Sequence, residues 1–379
     1  MSRNNVIGQA RAKEILQRAI AAKQVAHAYL FFGPEGIGKD ALAIEFAATL
    51  VCTQRGIEAC GDCGSCKKIR YLRHPNVEFI CALPVGKNEK AGDDPIAALT
   101  EEQVADVQKK LKAKGEDPYH RISIARATAI KVNSVRQIRR GASLTAVEDG
   151  RKIFIISNAD EMTLEAANSL LKTLEEPPAN TILILTSSHK EQLLPTIISR
   201  CQVIQCDLLG EEEISTALHS RKNIDPEQAR LAAKLAGGSY MKAIELTSSD
   251  ILAERQSVVQ FLRLALGSNK LELSKYIEDL AKNQDRNSAI RWLMLLQVWL
   301  RDAVLLREHL DAGIQNQDLI ADLKSFVANF PHADLFGAID SVERCIALVD
   351  KNSYLALVFT TLAFDLHRHS YAESLFSYQ

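Results

Sequence analysis

At 379 residues the chain is too long for one ordinary hydrophobic core, and it points to two or three domains. Hydrophobic residues at 47% and charged residues at 25% suit a soluble protein, while a net charge of −1 excludes an overall basic field that would draw the molecule to nucleic acid, so any DNA contact must be local. No apolar run approaches the roughly 18 residues of a membrane span and Met1-Ser-Arg-Asn-Asn5 lacks the apolar core of a signal peptide, so the expectation is a cytoplasmic protein without membrane contact, its eight cysteines reduced and serving as ligands or core residues.

Val6-Ile-Gly-Gln9 opens the pattern, and Ala10 to Lys23 reads as an amphipathic helix with Ile15 and Ala19 on its apolar side. An apolar strand, Ala28 to Phe32, follows and runs into Gly33-Pro34-Glu35-Gly36-Ile37-Gly38-Lys39-Asp40, which fits G-x-x-x-x-G-K and precedes a helix from Lys39 to about Leu50. A strand, a glycine loop and a helix N-terminus together cradle phosphates, with Lys39 reaching the outer ones. The next position departs from this chemistry. A working phosphate loop carries Ser or Thr after the lysine, whose hydroxyl is a ligand of the nucleotide's Mg²⁺; Asp40 puts a carboxylate there instead. Gly33, Gly36, Gly38, Lys39 and Asp40 thus form a degenerate nucleotide site. The glycines and Lys39 suffice to hold a phosphate and Asp40 opposes it by like charge, so sequence leaves ATP binding in doubt and the loop's bound state open.

Cys52, Cys60, Cys63 and Cys66 come next, spaced C-x₇-C-x₂-C-x₂-C, with Gly61 and Gly64 supplying tight turns. Four thiolates brought together by short turns suit tetrahedral zinc, and a closed four-sulfur set is structural rather than catalytic; two consecutive C-x₂-C steps argue against the alternative of scattered buried thiols. Cys81, Cys201, Cys206 and Cys345 have no such partners and read as core residues. A second buried strand reads from Val77 to Cys81. Beyond it, residues 84–121 change in composition, with Gly and Pro punctuating a charged helical piece around Thr100 to Lys114, and read as an inserted surface excursion of poor core content.

A helix resumes from Ile130 to Leu144, with Arg136, Arg139 and Arg140 at i, i+3 and i+4 on one face, either a solvated face or a patch that tracks a DNA backbone. Lys152 to Ile156 reads as a central strand, apolar on both faces. Where an ATPase of this kind ends that strand in Asp-Glu, this chain has Ser157-Asn158; Asp160-Glu161 lies a few residues later and offers an alternative acidic pair. A helix from Thr163 to Glu175 starts on a Thr cap and stops at Pro177-Pro178. Strands at Thr181 to Thr186 and Gln202 to Gln205 complete the set, with Ser199-Arg200-Cys201 just before the last. From Leu208 onward only helical spacing appears: Glu211 to Ser220, Pro226 to Leu235 and Tyr240 to Leu246, then about Asp250 to Leu366, where Trp292-Leu-Met-Leu-Leu296 and Trp299-Leu300 mark a densely apolar helix. Tyr378-Gln379 reads as a frayed tail.

Over about residues 4 to 246 these pieces resemble the clamp-loader branch of the AAA+ family. The carriers are Val6-Ile-Gly-Gln9, His27-Ala-Tyr-Leu-Phe31, the phosphate loop, the cysteine knuckle, Asn168-Ser-Leu-Leu-Lys-Thr-Leu-Glu-Glu-Pro-Pro178 and Ser199-Arg200-Cys201. The resemblance implies an α/β RecA-like AAA+ domain with a parallel sheet (1–208, holding the knuckle at 52–66 and the insertion at 84–121), an all-α three-helix lid (209–248) and an all-α collar for oligomerisation (249–379). It also implies partners: gamma/tau-like and delta-like clamp-loader subunits, a sliding clamp, and primed DNA through the assembled complex. Motor subunits of this branch carry Ser or Thr after the loop lysine, an Asp-Glu pair after the central strand and a lid Arg at the γ-phosphate. Here Asp40, Ser157-Asn158 and Met241 occupy those places. Arg200, which in the family crosses a subunit boundary to complete a neighbour's ATP site as an arginine finger, is kept; pairing with a local carboxylate is the plainer account of it. The pattern implies a non-hydrolysing stator that acts in trans. Set against it are an ATP-hydrolysing gamma/tau-like motor using Asp160 and Glu161, and a zinc-dependent nucleic-acid binder outside replication.

Overall fold

Short, nearly all-apolar runs form the three inner strands of the sheet, buried on both faces, and the longer stretches between strands with helical periodicity become the helices that cover it. The structure, a computed structural model, describes residues 6–86, 89–90, 92–143, 150–247, 251–310, 313–351 and 353–371. These fall into two units, Met1–Pro226 with Gly237–Lys242, and Glu227–Ala236 with Ala243–Gln379. The tail at Tyr378-Gln379 and the predicted helix end at Leu144 lie outside the described residues.

The first unit runs α1 (Ala10–Ala21), β1 (Ala28–Phe32), α2 (Lys39–Val51), α3 (Gly64–Arg70), β2 (Val77–Ile80), α4 (Glu101–Glu116), α5 (Val132–Ser143), β3 (Lys152–Ile156), α6 (Leu164–Glu175), β4 (Thr181–Ser187), α7 (Pro195–Ile198), β5 (Gln202–Gln205) and α8 (Glu211–Lys222). All five strands are parallel, in the order β2-β3-β4-β1-β5. β1 therefore lies between β4 and β5, and the loops leaving the carboxyl ends of β1, β3 and β4 open on one crevice, where open α/β sheets place their ligands. Phe154, Ile156, Leu183 and Leu185 of the central strands pack with Ile138 and Leu170 of the covering helices. Thr163 caps α6 by accepting from the N–H of Ala166 at 3.2 Å.

Two expectations are corrected. α1 buries Ala12 and Leu16 rather than Ile15 and Ala19; Ile15 is exposed and Ala19 only half-buried, because the stripe one residue away on the wheel faces the core. Residues 84–121 are not a plain surface excursion. Val107 packs with Cys81, Leu83 and Ile124 in a small core of its own, and Lys114 and Tyr119 are buried at 4% exposure. Thr100 starts α4 with a reciprocal capping box, which fixes where the helix enters.

The second unit is helical throughout among the described residues: α9 (Pro226–Leu235), α10 (Tyr240–Leu246), whose first residues belong to the first unit, α11 (Ile251–Leu266), α12 (Lys270–Lys282), α13 (Arg286–Arg307), α14 (Ile320–Asn329), α15 (Leu335–Asp350) and α16 (Leu355–Ser370). Its centre is α13, where Trp292 meets Phe261 and Phe359 edge-on at 5.1 and 5.4 Å and donates its indole N–H to Ser257 Oγ at 2.6 Å. Buried Asp302 accepts through Oδ2 from the backbone N–H groups of Gln315 and Asn316 and from the Asn316 side-chain amide.

Candidate functional site: a filled phosphate loop and a cysteine knuckle

The glycine loop has the shape its spacing predicts. Gly36 and Gly38 adopt φ of 79° and 97°, and a Cβ on Gly38 would lie 2.7 Å from the Tyr119 ring, so only glycine fits. α2 starts directly after it. Gln9 is buried behind the loop, donating to the carbonyls of Ile37 and Asp207 and accepting from the Asp207 N–H, which ties the Val6-Ile-Gly-Gln9 segment to the first unit's core.

No phosphate is needed to satisfy Lys39. Its ammonium donates to Gly33 O at 2.9 Å, Pro34 O at 2.8 Å and Ser188 Oγ at 2.9 Å, using all three N–H bonds. Burial pushes its pKa down, against the pull of Asp40. Asp40 is equally engaged. Its carboxylate meets Lys114 Nζ at 2.7 Å and accepts from Ser157 Oγ at 2.9 Å and Thr186 Oγ1 at 2.8 Å. Burial alone would raise the Asp40 pKa, but the Lys114 ammonium and the two hydroxyls outweigh it and hold the carboxyl below its ordinary range.

Lys114 comes from the end of α4, so the insertion itself supplies the counter-charge. Five residues on, Tyr119 lies against Gly38, accepts from the Ile7 N–H at 2.8 Å through its hydroxyl and stacks edge-on with Tyr240 at 4.9 Å. Asp117 holds the same segment to α8 through Lys222 at 2.7 Å. Met241 donates its N–H to Gly36 O at 3.3 Å, which places it against the loop. What remains is a polar cleft of about 190 Å³, smaller than the roughly 300–1,000 Å³ of ordinary small-ligand pockets. Glu161 lines this cleft and Asp160 does not, so the alternative acidic pair is not brought to it as a pair. Sequence reasoning missed Lys114, Tyr119, Ser157 and Thr186 as members of the site; the signal for them was Asp40 itself, since a carboxylate at a buried helix start demands a cation and donors nearby.

The four knuckle cysteines are brought together. Their sulfurs all lie within 4.8 Å of one another, with Cys52 to Cys63 at 4.0 Å and Cys60 to Cys66 at 3.9 Å. A tetrahedral zinc with bonds of about 2.3 Å sets its sulfurs roughly 3.8 Å apart, so the donor set fits that ion. Backbone N–H groups point at the sulfurs: Cys63 N to Cys60 Sγ and Cys66 N to Cys63 Sγ, both at 3.4 Å. Such donors favour thiolates, and those from Cys63 and Asp62 lower the Cys60 pKa. Arg200, at the end of α7, donates to Thr196 O at 2.9 Å and pairs with Glu175 at 3.0 Å, apart from the residues that line the phosphate-loop cleft. Arg136, Arg139 and Arg140 lie exposed along α5, with Arg140 donating to the carbonyl of Gly92.

With this geometry in hand, comparisons place the chain among replication proteins. The family described as "DNA polymerase III, delta subunit" matches residues 8–209, and that described as "DNA polymerase III, delta subunit, C terminal" matches residues 249–364. DNA polymerase III subunit delta' of Bacillus subtilis is 30% identical over 72% of this chain and 69% of its own length, and that of Pseudomonas aeruginosa is 34% identical over 64% and 62%. Subunit tau of Bacillus subtilis is 28% identical over 65% of this chain but only 37% of its own. A solved DNA polymerase III gamma subunit-related protein from Thermotoga maritima covers 94% of this chain and 99% of that chain at 14% identity, with a TM-score of 0.43.

Replacing Lys114 by Met leaves the Asp40 carboxylate buried without its cation and should destabilise the first unit by about 3–5 kcal/mol in denaturant unfolding at neutral pH, whereas Asp40→Thr combined with Lys114→Met should cost less than Lys114→Met alone. Because the folded-state pKa of Asp40 lies below its unfolded value, the stability it contributes is complete above about pH 4 and is lost as pH falls through the folded value. The gap between wild type and Asp40→Asn should therefore shrink in acid, and a gap independent of pH would contradict the ion-pair account.

Proposed function

This chain belongs to the DNA polymerase III delta' family of clamp-loader subunits, and we propose that within such an assembly it is a stator that acts on a neighbour's ATP rather than its own. The observation that carries this reading is the Asp40 carboxylate, locked by Lys114, Ser157 and Thr186 where a motor would hold a metal ligand. Three groups that hydrolysis requires are replaced together: the metal-binding hydroxyl by Asp40, the acidic pair by Ser157-Asn158 and the lid arginine by Met241. The tau match, confined to 37% of that protein, favours the motor alternative less than the delta' matches favour this one.

In this reading Arg200 is an arginine finger offered in trans. Its pair with Glu175 is half-exposed on both sides, and such pairs are worth roughly 0–1 kcal/mol, so a triphosphate at a subunit boundary would outcompete it. The guanidinium would then neutralise charge developing on the transferred phosphoryl group, a contribution of about 10³- to 10⁵-fold where fingers have been measured. Cys52, Cys60, Cys63 and Cys66 would hold one structural zinc, fixing a loop that has little core of its own. The partners are gamma/tau-like and delta-like subunits, the sliding clamp and, through the complex, primed DNA. We read residues 1–208 as the nucleotide-type domain, 209–248 as a lid and 249–379 as the collar that joins the ring.

Assembled with gamma/tau-like motor subunits and clamp, Arg200→Ala and Arg200→Lys should both remove the share of DNA-stimulated ATP hydrolysis that the adjoining site supplies, because lysine lacks the planar fork. An unchanged rate in a complex of normal composition would remove the finger assignment. Metal analysis of the purified chain should find one zinc, with Cys63→Ser losing it; a zinc content insensitive to that change would reject the four-sulfur site.

A further inference from the structure

Outside the phosphate loop and the Arg200 edge, a run of positive charge follows the cysteine knuckle. Residues 67–73 read Lys-Lys-Ile-Arg-Tyr-Leu-Arg, four cations in seven residues in a chain whose net charge is −1. The fold splits this run by face. Cys66 and Ile69 of α3 point inward at 6% and 2% exposure, while Lys67, Arg70, Tyr71 and Arg73 stay on the surface. One or two cations at a helix C-terminus answer the dipole, but this run continues past the helix end. Among the described residues no carboxylate forms an ion pair with Lys67, Arg70 or Arg73. The nearby carboxylate of Glu116 is already paired with Lys112.

The platform is held from two sides. The knuckle sulfurs anchor the start of α3, and Leu72 and Arg73 donate their N–H groups back to Ile69 O and Lys68 O at 2.8 and 3.0 Å, closing its end. Behind it lies Gly115 of α4, where a Cβ would come 2.6 Å from the Arg70 carbonyl, so the segment is seated on the same helix that supplies Lys114. Amid the cations Tyr71 is 49% exposed, and among the described residues it has no ring pair and no hydrogen bond from its hydroxyl. Cations alone track any phosphate backbone, but an aromatic face among them is useful only to a strand whose bases are unstacked, since a duplex hides base faces.

We propose that Lys67, Arg70, Tyr71 and Arg73 form a binding surface for single-stranded nucleic acid, the cations holding phosphates and Tyr71 stacking on a base. This surface is separate from the Arg136, Arg139 and Arg140 face, where Arg140 is already engaged with Gly92. It also stands independently of the stator reading, because its test needs neither ATP nor partner subunits.

The test is fluorescence anisotropy of the full-length, zinc-loaded chain with a labelled oligothymidylate of about 20 nucleotides, at salt from about 50 to 200 mM. Wild type should bind, and Lys67→Ala/Arg70→Ala/Arg73→Ala should flatten the slope of log affinity against log salt by about 2, three contacts at roughly 0.7 each. Tyr71→Ala should weaken binding about 5- to 100-fold while Tyr71→Phe keeps it. The proposal is overturned if wild type fails to bind at low salt, or if the triple variant, with unchanged circular dichroism and zinc content, binds as wild type does. Equal or tighter binding of a duplex of the same length, indifferent to Tyr71→Ala, would assign the surface to duplex backbone and overturn it as well.

Discussion

The contact between Lys114 and Asp40 organises the site. A carboxylate at the start of α2, beside the loop lysine, is costly to bury; it is tolerated because Lys114 reaches it at 2.7 Å and two hydroxyls take its remaining lone pairs. That satisfaction has consequences in both directions along the chain. It brings α4 and Tyr119 over the glycine loop, and it converts the serine at the end of β3 from a missing catalytic acid into a donor for Asp40. Lys39 turns onto the loop's own carbonyls, so the cradle keeps a phosphate-binding shape with its cation internally satisfied.

Arg200 follows α7, away from the residues that line the cleft, and is tethered by a half-exposed ion pair and a backbone carbonyl. The knuckle and α4 are in contact, since the cysteine-anchored α3 rests on Gly115, next to the residue that locks Asp40. Whatever fixes α3 therefore also buttresses the helix supplying the counter-charge.

Much of this was legible in the sequence, for identifiable reasons. The strands Ala28–Phe32, Lys152–Ile156 and Thr181–Ser187 fall where apolar runs too short for helices predicted them, because parallel strands buried on both faces leave little ambiguity. The cysteine spacing fixed the donor set, since short turns leave few ways to arrange four sulfurs. Two things were hidden. The face of α1 was misjudged by one residue because Ala12 and Leu16, and Ile15 and Ala19, are both helical i, i+4 pairs, and only tertiary packing selects between them. The role of 84–121 was hidden because Lys114 and Tyr119 sit in a polar stretch whose burial comes from contacts with residues 74 and 112 positions away in sequence. No local pattern announces that a charged helix will end on a buried ion pair.

With Lys39 and Asp40 both satisfied by the protein's own groups, the phosphate loop should not take up nucleotide. Isothermal calorimetry of the isolated, zinc-loaded chain titrated with Mg·ATP tests it most directly. The account predicts no saturable heat for wild type. A saturable, stoichiometric isotherm that disappears on Lys39→Ala would contradict it, for it would mean that the ligand displaces Lys114 and Tyr119 and that the loop is a working site.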